Sequence, residues 1–157
     1  MYTSNKPGTV PCACTTTKKL SRVLGRIYDD VLAGSSINIT QLAVIRCISR
    51  RTGEPLARVA DELEMDRTSL YRAITPMIRD GWIVITSGTD ARSRSAKVSR
   101  KGARIMAKAA GGWEEIQSRL IEGFGATEYA ALMTELNRLA ECAEAAWEPT
   151  AERTHTP

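Results

Sequence analysis

Between residues 56 and 104 the spacing of apolar side chains changes twice, and this constrains the fold of the 157-residue chain more than any other feature. Leu56, Val59, Ala60 and Leu63 recur at steps of three and four, which lines one face of an α-helix. After a tight turn, Asp66 stands where a helix needs an N-cap, its carboxylate able to accept from the first free backbone N–H groups. Leu70, Ile74, Met77 and Ile78 form the buried stripe of a second helix. From Trp82 to Thr86 the residues become apolar and strand-prone, and Ser87-Gly88-Thr89-Asp90 is turn chemistry. Ser95 to Ser99 then alternates small or polar residues with Ala96 and Val98. The order predicted is helix, turn, helix and two-stranded hairpin, which is a helix-turn-helix followed by a wing.

The other face of the second helix is unusual. Arg67, Thr68, Ser69, Tyr71, Arg72 and Thr75 all donate hydrogen bonds, and no acid occurs between Arg67 and Arg79. A solvated helix face ordinarily mixes Glu with Lys, whereas donors without acids suit the acceptor-bearing edges of a DNA major groove. In the wing, Asp90, Arg92 and Arg94 lie two residues apart, so a hairpin tip can aim both guanidinium groups one way while Asp90 orients one of them. Such a pattern is common in loops, and gains meaning here because it follows a helix-turn-helix. Pro76 removes the bond to the Arg72 carbonyl, so it is expected to kink the helix axis and shape the helix end.

Residues 14–147 resemble the multiple-antibiotic-resistance regulator (MarR) family of bacterial winged-helix transcription factors. The most specific matches are Asp66 to Gly81 followed by Trp82-Ile83, the wing residues Asp90, Arg92 and Arg94, and the entry from Val98 to Gly102 into the next helix. Pro76 departs from the pattern. The resemblance implies a homodimer on a palindromic double-stranded DNA operator, released by a small phenolic acid or an oxidant. It places Ser69 and Arg72 in the recognition helix and Arg92 and Arg94 in the wing.

Charge is unevenly divided. Residues 1–55 carry 8 basic and 3 acidic side chains, residues 56–104 carry 10 and 6, and residues 113–152 carry 2 and 9. A basic head joined to an acidic tail fits DNA held at one end. The fold expected is mainly α with a small β hairpin, a winged helix-turn-helix with N- and C-terminal dimerisation helices. Residues 1–12 are expected to be a disordered arm, 13–55 N-terminal dimerisation and support helices, and 56–101 the winged lobe. Residues 102–148 are expected to be C-terminal dimerisation helices and 149–157 a disordered tail. Thr15 to Thr17 offer caps for the first helix, Asn38 opens the second, and Thr127 is the cap expected for the last. Gly111-Gly112 marks a bend or a close helix approach within a helix running from Gly102 to Phe124. These helices carry more apolar stripe than one small domain buries, which favours a partner copy. No run is long and apolar enough to span a membrane, and no secretory h-region is visible, so the expected compartment is the cytoplasm.

Enzymatic readings fail on inventory. The one histidine, His155, lies in the tail, no phosphate-cradling glycine loop occurs, and no cofactor is implied. The acid pairs Asp29-Asp30 and Glu114-Glu115 diverge around a helix and read as solvated faces. By resemblance, an aromatic acid would sit near Tyr28, Arg46 and Arg50. Four cysteines in such a chain are not a disulfide framework. Cys47 and Cys142 read as small core or interface residues. Cys12 and Cys14 precede the first long helix with Lys18, Lys19 and Arg22 close behind, which favours thiolates. Cys14 stands fourteen residues before Tyr28, which resembles the spacing in the organic-hydroperoxide branch of the family, with Lys18 in place of that branch's second tyrosine; the resemblance implies Cys14 as an oxidant sensor with Cys12 as resolving thiol. Two other readings stay open: a metal or thiol sensor built on Cys12 and Cys14, and a non-specific architectural DNA binder.

Overall fold

A computed structural model describes residues 10–87 and 94–147. Helix α1 (Ala13–Leu32) runs into a 3-10 turn (Ala33–Ser35), followed by α2 (Ile39–Arg50), α3 (Leu56–Glu62) and α4 (Arg67–Arg79). Strands β1 (Ile83–Ser87) and β2 (Arg94–Val98) pair antiparallel with Ile83 opposite Val98 and Ser87 opposite Arg94. Helix α5 (Arg100–Phe124) and helix α6 (Ala126–Ala145) complete the described chain. This is the mainly helical winged helix-turn-helix that the periodicity predicts, with strands displaced by a residue. No single helix among the described residues is long and apolar enough to cross a membrane.

The chain divides into two units, Met1–Ile116 and Gln117–Pro157. In the first, Leu42, Val44, Ile45 and Ile48 of α2 form the centre of a core that takes in Leu56, Val59 and Ala60 from α3. Leu70, Ile74 and Met77 enter it from α4, and Trp82, Ile83 and Ala96 from the wing. The expected stripe on α4 is short by one position: Ile78, in the last turn, is exposed in the single chain. In the second unit Gln117 Nε2 donates to the Tyr129 hydroxyl at 2.8 Å, and no residue of α6 is buried. Cys142 is therefore exposed in the single chain, contrary to the core reading.

Both helices of the helix-turn-helix stop by the same device. At the end of α3 the Glu64 N–H donates to the Asp61 carbonyl and the Met65 N–H to the Ala60 carbonyl. At the end of α4 the Gly81 N–H donates to Ile78 and the Trp82 N–H to Met77. Each is a Schellman motif, which needs a left-handed residue after the C-cap. Gly81 supplies it at φ 71°, and Glu64 adopts it at φ 48°.

Starts are capped locally and across the fold. Asn38 and Gln41 form a reciprocal capping box on α2. Asp29 of α1 also accepts from the Ile39 N–H at 2.7 Å, so this acid belongs to a helix start rather than to a solvated face. Thr15 to Thr17 do not cap α1, which starts at Ala13 behind Cys12; the Thr17 hydroxyl instead donates back to the Ala13 and Cys14 carbonyls. Likewise Thr127 lies inside α6, whose N-cap is Gly125. Of the two readings of Gly111-Gly112, Gly112 is a close approach: an added Cβ would stand 3.0 Å from Val31 of α1.

The wing is joined to α5 by Ser99. Its hydroxyl donates to the Gly81 carbonyl at 2.6 Å and accepts from the Gly102 N–H at 3.0 Å. A Cβ on Gly102 would be driven into the Trp82 carbonyl oxygen. Gly102→Ala is therefore expected to destabilise the chain by roughly 1–3 kcal/mol through overpacking. Gly81→Ala is expected to cost about 1–2 kcal/mol through its left-handed backbone alone. Urea denaturation measures both, and an unchanged midpoint for Gly102→Ala would contradict the close packing at this joint.

Candidate nucleic-acid interface

Helix α4 is placed by its inner face and started by its first acid. The Asp66 carboxylate accepts from the Ser69 N–H at 2.9 Å and from the Ser69 hydroxyl at 2.6 Å. Those two bonds, the hydroxyl foremost, hold the Asp66 carboxyl below its ordinary value, so the cap is ionised. Ser69 thus spends its hydroxyl proton on the cap, a role the donor pattern alone does not distinguish from an outward contact. Thr75 behaves similarly, its hydroxyl donating to the Tyr71 carbonyl at 2.7 Å. The helix runs on through Pro76 for three further residues, so the proline falls in the final turn.

Arg67, Thr68 and Arg72 are exposed on α4, and Tyr71 retains 40% of its surface. The structure brings Arg67 and Tyr71 together with Arg94, the exposed first residue of β2. All three line a cleft of ≈ 310 Å³ floored by Leu56, Ala57, Ala60 and Leu70. Thr68 and Arg72 are not among its lining residues. Asp90 and Arg92 lie outside the described residues. Arg79, at the end of the same helix, is taken up by Asp80 at 2.8 Å. A groove bounded by guanidinium groups and a phenol, with no acid in its lining, presents hydrogen-bond donors to an anionic or acceptor-rich partner.

The base of the helix-turn-helix is clasped by charge. Glu62 at the end of α3 accepts from Arg50 at 2.5 Å and also from Arg51, and Arg51 reaches Glu54 at 2.8 Å. The two arginines, Arg50 foremost, push the Glu62 carboxyl down from 4.5 to about 2. Beneath them the Cys47 thiol is buried, and burial with the neighbouring Glu62 carboxylate raises its value above the ordinary one. Cys47 is thus a core residue and a poor nucleophile.

The residues proposed for an aromatic acid are dispersed. Tyr28 is buried in α1, and Arg50 is paired with Glu62. Arg46 stacks its guanidinium 4.1 Å from the centroid of the Trp113 ring and borders a separate open cleft of ≈ 610 Å³ between α2, β2 and α5. Neither Tyr28 nor Arg50 lines that cleft. Cys12 is the N-cap residue of α1 and Cys14 lies in its first turn, both exposed, so only the first precedes the helix. The amide and then the hydroxyl of Thr15 hold the Cys12 thiol below its ordinary value. Among the described residues no group of three or more His, Cys, Asp or Glu is placed to hold a metal ion.

No family model and no curated protein matches the chain. Solved structures do. The Mycobacterium tuberculosis transcriptional regulator MosR in complex with DNA is 28% identical with a TM-score of 0.79, covering 88% of this chain and 100% of that one. Staphylococcus aureus MepR in complex with DNA is 11% identical with a TM-score of 0.72, over 84% and 96%. Apo MarR from Escherichia coli is 19% identical with a TM-score of 0.64, over 83% and 98%. At 11% and 19% identity the last two likenesses are of fold.

The Glu62 clasp makes an acid-dependence prediction. Because its carboxyl is depressed in the folded state, the unfolded chain takes up the proton first as pH falls. The stabilisation is present above 4.5 and is lost as pH falls through about 2. Glu62→Gln should therefore flatten the fall in urea midpoint across that window, and parallel profiles for the variant and the wild type would contradict the clasp.

Proposed function

We propose that this protein, which has the fold of the MarR-family transcriptional regulators, is a sequence-specific DNA-binding regulator acting as a homodimer on a palindromic operator. The observation that carries the reading is the acid-free outer face of α4, exposed beside Arg94 of the wing. Thr68 and Arg72 are the side chains assigned to base edges, with Arg67 at the groove wall. Arg94, with Arg92, supplies cations to the flanking backbone, a term that is sequence-independent and sensitive to salt. Ser69 contributes by holding the helix start.

The homodimer is supported by apolar surface without cover. Leu20 and Val31 on α1 are 39% and 41% exposed, Phe124 of α5 is 54% exposed and Leu139 of α6 44%. A second copy covering such stripes brings two α4 helices into successive major grooves, which is what a palindromic site requires. Its direction of action is proposed to be repression.

Release by oxidation is favoured over release by an aromatic acid. Arg50, one of two arginines available to a carboxylate, already has Glu62, leaving Arg46 alone. Cys12, by contrast, has an exposed thiol shifted toward the thiolate at a helix start. Acting through its thiolate, the Cys12 thiol would be oxidised by an organic hydroperoxide to the sulfenic acid with release of the alcohol, and condensation of that sulfenic acid with the Cys14 thiol would give a disulfide and water. This exchanges the roles first given to the two cysteines: Cys12 attacks and Cys14 resolves. Cys12→Ser should then abolish DNA release by cumene hydroperoxide, and release equal to wild type would remove Cys12 from the switch.

DNA recognition is tested with duplexes selected from genomic fragments. Arg72→Ala should weaken binding by about 1–3 kcal/mol and relax preference at one position per half-site. Arg94→Ala should weaken all sequences alike and reduce the slope of log affinity against log salt by about one. Unchanged affinity in both variants would overturn the assignment of α4 and the wing to DNA.

A further inference from the structure

Ser95 is a polar side chain at 0% exposure in the strand of the wing, next to Arg94. Its hydroxyl donates at 3.0 Å to the carbonyl of Gly53, 42 residues earlier in the chain. One residue beyond the acceptor's neighbour, Pro55 forms an isolated antiparallel bridge with the same Ser95. Pro55 is the N-cap residue of α3 and also lines the cleft that Arg67, Tyr71 and Arg94 share. Among the described residues the wing is a two-stranded sheet, and beyond the β1–β2 ladder this junction is where β2 meets the segment that opens the helix-turn-helix. Side chains alternate along a strand, so Arg94 stands on the face opposite Ser95, the face it shares with the buried Ala96, and is exposed as the first residue of β2.

We propose that Ser95 is a positioning residue for DNA binding: its bond to Gly53 sets where Arg94 stands relative to Arg67 and Tyr71. The inference rests on the DNA-binding reading above. A buried hydroxyl whose acceptor is a backbone carbonyl leaves that carbonyl unsatisfied when removed, and the strand must shift or admit water to compensate. Displacing β2 moves Arg94 away from the α4 face while leaving α4, with its own cap and core contacts, in place. Ser95 itself is inaccessible to any partner and acts only through its neighbour.

The distinguishing experiment is a double-mutant cycle on a selected duplex, using Ser95→Ala, Arg94→Ala and the combined variant in the full chain. Ser95→Ala should reduce affinity severalfold for all sequences, reduce the salt slope by about one, and leave base preference intact. In the combined variant the second substitution should add almost nothing, because both act on one contact. A purely structural Ser95 would lower the melting temperature but give additive losses in affinity and an unaltered salt slope, and that result overturns the proposal. If Ser95→Ala does not fold by circular dichroism, Ser95→Cys, which keeps the size and a weaker donor, takes its place in the same cycle. Normal binding by the wild type with an additive cycle removes only this inference; no duplex binding by the wild type removes the DNA reading with it.

Discussion

Leu70, Ile74 and Met77 are no more than 1% exposed, and the position of every candidate contact on α4 follows from them. A helix turns by 3.6 residues, so once those three side chains are buried in the core, Thr68, Arg72 and Thr75 face away from it. The functional face is thus set by hydrophobic burial on its opposite side. Of the donors on that face, Ser69 and Thr75 are spent on the helix itself, while Thr68 and Arg72 are exposed and lie outside the core. Burying each such aliphatic side chain stabilises by about 1.5–3 kcal/mol, several times the contribution of an exposed ion pair, so this stripe outweighs the surface charges in fixing the helix.

Three smaller devices convert a buried helix into an aligned one. Asp66 fixes its start, the left-handed Gly81 fixes its stop, and the Schellman turn at Glu64 sets its angle to α3. The wing is held from two ends: Ser99 ties its exit to Gly81 and the first turn of α5, and Ser95 ties its second strand to Gly53. Each tie uses a serine hydroxyl donating to a backbone carbonyl of a glycine.

The helices, the hairpin and the acid-free face were legible in the sequence because each depends on near neighbours. Period three-to-four spacing revealed α3 and α4, and the Asp66 cap lay three residues from its partner. What escaped was either distant or collective. The Arg50–Glu62 pair spans 12 residues and the Ser95–Gly53 bond 42, and no local pattern announces either. Asp29 was read as solvated because its partner, the Ile39 N–H, is an unsatisfied helix start ten residues away. Thr127 was a plausible cap by residue type, yet Gly125 ends α5 and starts α6 at once with φ 96°, which left the threonine inside the helix. Cys142 reads as a small core or interface residue, and in the single chain, where no residue of α6 is buried, it is not in a core.

The account stands on two claims at once, that α4 reads base sequence and that two copies do so together. Affinity for a genome-selected duplex, set against a shuffled duplex of the same length at one salt concentration with the chain-to-duplex ratio measured in parallel, tests both. The account predicts two chains per duplex and a preference of at least about 10³-fold for the selected sequence. Equal affinity for both duplexes, or one chain per duplex at full occupancy, would contradict it.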